Sequence, residues 1–225
     1  MRPETEPPVG PLVGGDPAGP LERRALRGRF VRLDPLDPAS HAEPLWRVAH
    51  DGSPEARRLW TYMPYGPFRD PDEMRAWLEG LSGSADPLFL VASGPGGPLG
   101  MASFLNADTA MRHVELGHIW FAPAAQRTEA NTEVAYLMLK EAFDVLGHRR
   151  VEWKCDALNE RSRAAALRLG FSFEGIFRQH MVIKGRNRDT AWFAMLDGEW
   201  PPARAAFERW LAADPSARPP LASIR

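Results

Sequence analysis

The sequence predicts an α/β protein of the α+β kind, with a mixed central sheet flanked by helices. In the first half, short apolar runs separated by glycine and proline predict antiparallel strands joined by tight turns. In the second half, a helix-period segment between two strand-like segments predicts a βαβ unit. With 225 residues the chain can bury one substantial core. We expect one domain over residues 21–213, after a disordered tail at 1–20 and before an irregular tail at 214–225.

The first half predicts a strand, two helices and then a meander of strands. Residues 29–33 form the first strand, and Asp37 followed by Pro38 opens a helix with a cap and a proline at its first position. A second helix covers 70–81. The stretch between these helices, 60–68, is aromatic and broken by proline, so it is irregular and could line a pocket.

Three strands follow, and the first two are joined by a glycine-rich and proline-rich turn. The second half predicts a helix, a strand, a short helix, a final hairpin and a terminal helix. The predicted spans are strands 88–92, 99–104 and 113–121, helix 131–146, strand 150–155, hairpin strands 181–183 and 191–196 around a turn at 185–187, and helix 202–211.

The segment 156–175 says most about function. Asn159 is a favoured N-cap whose side chain can accept from amides of the first helical turn, and Ser162 lies three residues later. Alanines and leucines then supply helix propensity, and Gly170 ends the helix before another strand. This pattern places polar side chains at a helix start, where they can serve chemistry.

These segments resemble the GNAT superfamily of acyl-CoA-dependent N-acetyltransferases, in particular the ribosomal-protein (RimJ/RimL-like) branch. The resemblance covers roughly residues 28–211. It implies strands splayed at a cofactor cleft and acetyl-CoA as the cosubstrate. The matching motifs are Asn-Glu-Arg-Ser at 159–162, Arg-Leu-Gly-Phe at 168–171, Glu-Gly at 174–175, the strand at 115–123, Asn-Thr-Glu at 131–133 and Arg-Asp-Thr-Ala-Trp at 188–192.

The resemblance also implies which residues bind the cosubstrate. Backbone amides of the central strand would stabilise the oxyanion, the following loop and helix start would bind the diphosphate, and an asparagine would hold the pantetheine arm or the acetyl group. The implied residues are Ile119, Trp120, Phe121, Gln126, Arg127, Thr128, Asn131, Thr132 and Asn159.

The diphosphate loop departs from the superfamily pattern because its glycines are missing. Arg127 and Glu129 stand where a Cβ could crowd the ligand, which leaves the helix start and the side chains of Arg127 and Thr128 to bind phosphate. The Glu129 carboxylate would repel a diphosphate unless it points to solvent.

Three residues are candidates for proton transfer. By resemblance Ser162 is the donor to the departing CoA thiolate, although capping of a helix explains both Asn159 and Ser162 equally simply. Glu115 and His118 are candidate bases. They lie three residues apart, so on a regular strand they project to opposite faces unless a bulge reorients the chain. The alternative is that each is a polar residue on a half-exposed strand; His180 has a weaker case.

Composition excludes some classes of function. There are 28 basic and 29 acidic side chains, so no global field favours nucleic acid or a membrane surface. The tryptophans at 120, 153 and 192 lie among apolar residues and indicate core packing rather than base stacking. One cysteine, Cys155, rules out an intrachain disulfide and a cysteine-rich zinc site, and it fits a reducing, cytoplasmic compartment. No metal is expected.

We therefore expect acetyl transfer from acetyl-CoA to a primary amine, borne either by a small molecule or by a protein N-terminus. A homodimer is compatible with this expectation. The alternative is a non-catalytic acyl-CoA-binding or regulatory module, which the missing glycines of the diphosphate loop motivate. Nucleic-acid binding is disfavoured by the charge balance.

Overall fold

A computed structural model describes residues 7–214 and 218–219, in which one eight-stranded sheet carries helices on both faces. The strands are β1 (Leu26–Arg27), β2 (Arg32–Pro35), β3 (Leu88–Gly94), β4 (Gly97–Asp108), β5 (His113–Phe121), β6 (Arg150–Asp156), β7 (Ser172–Ile183) and β8 (Arg186–Leu196). The helices are α1 (Pro38–Ala49), α2 (Pro54–Arg58), α3 (Pro71–Glu79), α4 (Glu129–Lys140), α5 (Glu160–Leu169) and α6 (Trp200–Ala212). The predicted α/β class with a mixed sheet is confirmed.

The sheet is antiparallel except at its centre, where β5 and β6 run parallel. The strand order is β1-β2-β3-β4-β5-β6-β8-β7. The parallel pair extends from His113 opposite Arg150 to Leu116 opposite Trp153, and no pairing continues beyond it. The last five residues of β5 and the last three of β6 therefore diverge, as the sequence resemblance implied.

Each face of the sheet has its own hydrophobic core. Alternate side chains of β6, including Val151 and Trp153, pack on one face together with α4, α5 and α6. The other face packs against α1 and α3 and includes Trp60, Phe89 and Trp120. We call these the α4 face and the α1 face. Because side chains alternate along a strand, Lys154, which directly follows Trp153, belongs to the α1 face.

The start of the sheet differs from the prediction of one strand over residues 29–33. The chain forms two short strands with a turn between them, and the turn amides point at a buried carboxylate of α4. Glu133 accepts hydrogen bonds from the backbone of Arg29, Phe30 and Val31 at 2.8, 2.7 and 2.7 Å. The pattern of residues 29–33 is typical of a strand. The backbone amides of the first three nevertheless donate to the Glu133 carboxylate, about a hundred residues further along the chain, rather than to a neighbouring strand.

Boundaries also shift in the second half. The helix predicted over 131–146 begins at Glu129 and becomes π-helical over Glu141–Val145. The predicted turn at 185–187 lies at 184–185, so Arg186 and Asn187 already belong to β8. The strand predicted at 181–183 is the end of the longer β7, whose ladder is interrupted by two register shifts. The short helix α2 was not predicted.

Parts of both predicted tails contact the domain. Ala18 is buried and its amide donates to the Thr109 carbonyl at 2.9 Å, while the Gly19 amide donates to Leu146 at 2.7 Å. At the other end, Arg218 packs its guanidinium on the Trp210 ring. Residues 1–6, 215–217 and 220–225 of those tails lie outside the described residues. The domain limits at 21 and 213 stay predictions.

We predict that Glu133→Ala lowers the free energy of unfolding by about 3 kcal/mol, because three amides lose a charged acceptor. Urea denaturation followed by circular dichroism measures the change. Glu43→Ala is the control, because Glu43 forms only an exposed ion pair with Arg47 on α1, and its loss should cost less than about 1 kcal/mol. Equal effects of the two substitutions would contradict the role given to Glu133.

Candidate active site

The gap between the diverging ends of β5 and β6 is the candidate active site. Beyond Leu116 the edge of β5 that faced β6 has no strand partner among residues 7–214 and 218–219, so its backbone groups are open to a ligand. The two strands point their carboxyl ends the same way, and α4 and α5 begin just after those ends. Crevices at the carboxyl ends of parallel strands are common ligand sites in α/β sheets.

A β-bulge at the start of this gap reverses the alternation of β5. Met101 of β4 pairs with Trp120, but Ser103 pairs with Gly117, so β5 contains one extra residue between them. His118 has φ of 50° at this point. Val114 and Leu116 face α4 before the bulge, whereas Phe121 does so after it. The sequence allowed either a regular strand or a bulge, and the structure contains the bulge. It brings Glu115 and His118 to the same α1 face.

A buried ion pair occupies that face where the two strands part. The Glu115 side chain is 2% exposed, and its carboxylate accepts from Lys154 Nζ at 2.9 Å and from Asn106 Nδ2 at 2.8 Å. Lys154 Nζ also lies 5.3 Å from the centre of the Trp192 ring. Burial raises the pKa of Glu115, while the Lys154 charge and the two hydrogen bonds oppose that rise.

His118 is enclosed by aromatic rings beside this pair. Its imidazole stacks on Tyr65, with 5.6 Å between ring centres, and lies 4.9 Å from the Phe89 ring. Burial, with a smaller contribution from the Lys154 charge, lowers the pKa of His118 to about 4. The imidazole is therefore neutral near pH 7, the form in which it can accept a proton.

The irregular aromatic stretch at 60–68 covers this face, with Trp60 and Phe68 packed in the core; that the stretch lines a pocket stays a prediction. The Trp60 ring lies 5.5 Å from Trp120, and Tyr65 stacks on His118. The Tyr62 hydroxyl donates to the Leu158 carbonyl at 3.1 Å, just before α5. The stretch thus contacts both β5 and the segment that follows β6.

A lysine at the tip of the β7–β8 hairpin ties down the same stretch. Lys184 Nζ donates to three backbone carbonyls, those of Trp60, Tyr65 and Gly66, at 2.8, 3.0 and 2.6 Å. Burial lowers the pKa of Lys184. Because an ammonium has three N–H groups, these three contacts use all of them.

Several buried donors near the gap have no hydrogen-bond partner among the described residues. They are the indole nitrogens of Trp60, Trp120 and Trp192, the Tyr65 hydroxyl and Arg188 Nε. Buried polar groups are normally paired, so this concentration of unpaired donors needs partners such as water or a ligand. A ligand with carbonyl or other acceptor oxygens would fit these donors.

Asn159 and Ser162 lie at the start of α5. The Asn159 Oδ1 accepts from the Ser162 amide at 3.2 Å, so Asn159 does cap the helix. Ser162 Oγ accepts from Trp153 Nε1 at 3.0 Å, and its hydroxyl helps to stabilise the thiolate form of Cys155, whose pKa burial raises. Trp153 and Cys155 belong to the α4 face. Ser162 therefore approaches the strands from the face opposite to His118.

The predicted diphosphate loop turns without glycine. Arg127 has φ of 63°, the left-handed conformation that glycine usually provides, and both Arg127 and Thr128 are exposed. Thr128 is the N-cap of α4, and its Oγ1 accepts from the Ala130 amide at 3.3 Å. The Gln126 side chain donates to the Phe121 carbonyl at 3.0 Å and so braces the loop rather than extending from it.

The remaining predicted cosubstrate residues divide between open and buried positions. Ile119 and Asn131 are partly exposed. Phe121 is packed in the α4-face core. Thr132 is 1% exposed, and its hydroxyl accepts from Arg168 of α5 at 2.9 Å. The Thr132 side chain thus links two helices. Ile119 can still contact a ligand through its backbone.

Sequence reasoning missed Lys154 and Asn106, which contact Glu115, and Arg188. Arg188 lies near Cys155, where its charge favours the thiolate. One signal for Lys154 was available, since a lysine stood on a half-buried strand next to the predicted cleft. Asn106 gave no such signal, because its φ of 52° and its contact depend on the path of β4.

A separate open cavity of about 900 Å³ lies on the β7–β8 hairpin. Its lining includes Phe177, His180, Asn187 and Asp189. The His180 Nδ1 is 3.0 Å from Thr190 Oγ1, and the His180 ring is 6.0 Å from Trp192. Trp192 also contacts Lys154, so this cavity adjoins the ion pair through one indole ring.

The family profile described as "Acetyltransferase (GNAT) domain" matches residues 31–172, more than half of the chain. The chain belongs to this family of acetyltransferases. The structure agrees, because the parted central strands and the helix that follows β5 stand where the resemblance placed them.

Some known proteins are similar to the chain in sequence, and others share its fold at low sequence identity. A GCN5-related N-acetyltransferase of Brucella melitensis is 40% identical, with a TM-score of 0.89 over 93% of this chain and 97% of that one. A Bacillus subtilis protein named "Putative ribosomal N-acetyltransferase YdaF" is 32% identical over 101 residues, 45% of this chain. The match spans 55% of YdaF. Mycobacterium smegmatis RimJ, solved with CoA-disulfide, shares the fold at 20% identity and a TM-score of 0.72, over 84% of this chain and 95% of RimJ.

Within residues 7–214 and 218–219, no helix combines the length and apolarity needed to cross a bilayer. The same residues contain no group of three or more His, Cys, Asp or Glu side chains arranged to hold a metal ion.

We predict that Lys154→Met raises the pKa of His118 above its value of about 4, because a nearby cation that disfavours the imidazolium is removed. NMR titration of the imidazole resonances measures the pKa. Lys140→Met on α4 is the control and should leave the His118 titration unchanged. An unshifted pKa in Lys154→Met would show that the ammonium does not act on the ring.

Folding stability should also depend on His118. The pKa of its imidazole is 6.5 in the unfolded chain and about 4 in the folded one, so between these values the unfolded state binds more protons. The stability contributed by the neutral imidazole is therefore complete above pH 6.5 and is lost as the pH falls toward 4. Urea denaturation over this range should show a shallower pH dependence for His118→Gln than for the natural chain; equal slopes would contradict the burial of the ring.

Proposed function

We propose that the protein transfers an acetyl group from acetyl-CoA to a primary amine. The observation that carries the proposal is the gap between β5 and β6, with a neutral imidazole on its α1 face and a serine hydroxyl approaching from its α4 face. Acetyl transfer needs a proton acceptor for the amine and a proton donor for the thiolate.

The residues would divide the proton transfers between the two faces. The amine nitrogen attacks the thioester carbonyl and loses a proton to His118, directly or through water. The open backbone amides of β5 near Ile119 would stabilise the oxyanion. When the carbon–sulfur bond breaks, Ser162 Oγ would pass a proton to the thiolate and regain one from solvent water, while His118 would release the proton of the amine to solvent. Glu115 would hold the Lys154 ammonium beside the gap rather than act as a second base.

The loop before α4 and the start of α5 would hold the cosubstrate. Arg127 and Thr128 are exposed there, at the positive end of a helix of twelve residues. Asn159 would contact the pantetheine arm or the acetyl group through its amide nitrogen, since its oxygen caps α5. The complex of RimJ with CoA-disulfide supports a CoA compound as the ligand.

A protein N-terminus is the acceptor that the relatives favour. The name of YdaF describes ribosomal N-acetylation, and the fold is that of RimJ. A small amine remains the alternative acceptor for the same chemistry.

Two further points complete the proposal. We place the protein in the cytoplasm, supported by its single, buried cysteine. We also propose that β7 can pair with a second copy, because this edge strand exposes Phe173, Phe177 and Val182 by 48, 56 and 76%. Sedimentation would test this self-association.

The activity test combines acetyl-CoA calorimetry with release of CoA thiol over a panel of peptides and small amines. We expect binding and turnover, with His118→Gln lowering kcat/KM about a hundredfold, as loss of a general base does. Ser162→Ala should lower kcat by a similar factor while leaving acetyl-CoA affinity unchanged. Ser172→Ala, an exposed serine at the start of β7, is the matched control.

The same test decides between the enzyme and the non-catalytic module that the glycine-poor loop suggests. Binding of acetyl-CoA without turnover on any acceptor would favour the module. Failure to bind acetyl-CoA would overturn both functions. Full turnover by His118→Gln would remove the imidazole from the proposed mechanism.

A further inference from the structure

The carboxylate that conflicts with a diphosphate is paired to the C-terminal segment. Glu129 is the first residue of α4, and its Oε1 lies 2.6 Å from Arg218 Nη1. The carboxylate also accepts from its own backbone N–H, and these contacts, led by that backbone bond, lower the pKa of Glu129. An ionised acid therefore lies at the helix start that would bind the anion.

The Arg218 guanidinium is held in place from several sides. Its side chain is 6% exposed. The guanidinium carbon lies 4.7 Å from the centre of the Trp210 ring and 5.1 Å from that of Phe30. Nε donates to the Ala213 carbonyl at 3.2 Å. A side chain packed between two rings is a fixed counter-charge rather than a loose surface cation.

One nitrogen of this group is left without an acceptor among the described residues. Arg218 Nη2 is buried and has no hydrogen-bond partner within the part of the chain that the structure describes. A guanidinium can pair with carboxylate and phosphate oxygens at the same time, because its N–H groups point in different directions.

We infer that Arg218 is a positioning residue for the diphosphate of the cosubstrate: it neutralises Glu129 at the start of α4, so that this helix start accepts an anion. The inference rests on the proposed function. It goes beyond the family match, which ends at residue 172. It also explains how the Glu129 carboxylate can lie beside a diphosphate. A side chain 89 positions away compensates its charge, rather than solvent.

The test is a double-substitution cycle on Glu129 and Arg218, read by calorimetric affinity for acetyl-CoA. Arg218→Met keeps an apolar stem between the rings but leaves Glu129 charged, so affinity should fall about tenfold, in the range of charge effects at a helix terminus. Glu129→Gln removes the repulsion and should bind at least as tightly as the natural chain. The double variant should regain the affinity lost in Arg218→Met.

Two controls separate this role from general damage. Arg47→Met breaks another arginine–glutamate pair, on α1, and should leave affinity unchanged. S-acetylpantetheine lacks the diphosphate, so kcat/KM with it should be the same for Arg218→Met and the natural chain.

Unchanged acetyl-CoA affinity in Arg218→Met would overturn the inference. A loss that Glu129→Gln does not rescue, or an equal loss with S-acetylpantetheine, would do so as well and would leave acetyl transfer standing. If the natural chain binds no acetyl-CoA, the proposed function fails first and takes this inference with it.

Discussion

The parting of β5 from β6 is the constraint on which the rest of the site depends. Four residue pairs hold the two strands parallel, and then the ladder stops. Where it stops, one extra residue in β5 turns His118 to the α1 face, and among the described residues no strand pairs with the β6 side of β5 beyond Leu116. A regular strand would have placed Glu115 and His118 on opposite faces. The opening and the arrangement of its polar groups therefore begin at the same place in β5.

A buried charge on that face has to be compensated, and Lys154 does so for Glu115. Lys154 is the first residue of β6 beyond the part of that strand that pairs with β5, so its position follows directly from where these two strands part. Its charge acts in opposite directions on two neighbours: it favours the ionised form of Glu115 and the neutral form of His118. One ammonium thus favours the ionised form of an acid and the neutral form of a base, while burial makes the larger contribution to both pKa shifts.

Long-range bonds from charged side chains hold the segments around the gap. Glu133 binds the turn between β1 and β2, Lys184 binds the carbonyls of the aromatic stretch, and Arg218 binds Glu129. Each joins parts of the chain that lie about ninety or more positions apart. Charged groups are suited to this because they form stronger hydrogen bonds than neutral ones and leave fewer buried amides or carbonyls unpaired. These hydrogen bonds also explain how segments with little regular structure, such as the aromatic stretch at 60–68, keep fixed positions.

The sequence alone determined the fold class, the family and most of the elements, because these follow from periodicity, capping residues and turn residues within short windows. Strand β5 was predicted with its observed bounds, and Asp37 and Asn159 cap helices as expected. Only the tertiary structure decided which face His118 takes, that Lys154 pairs with Glu115, and that Arg218 neutralises Glu129. A bulge is a register difference between two strands, and an ion pair joins distant residues. Neither leaves a mark in the local pattern, because both depend on where the other parts of the chain lie.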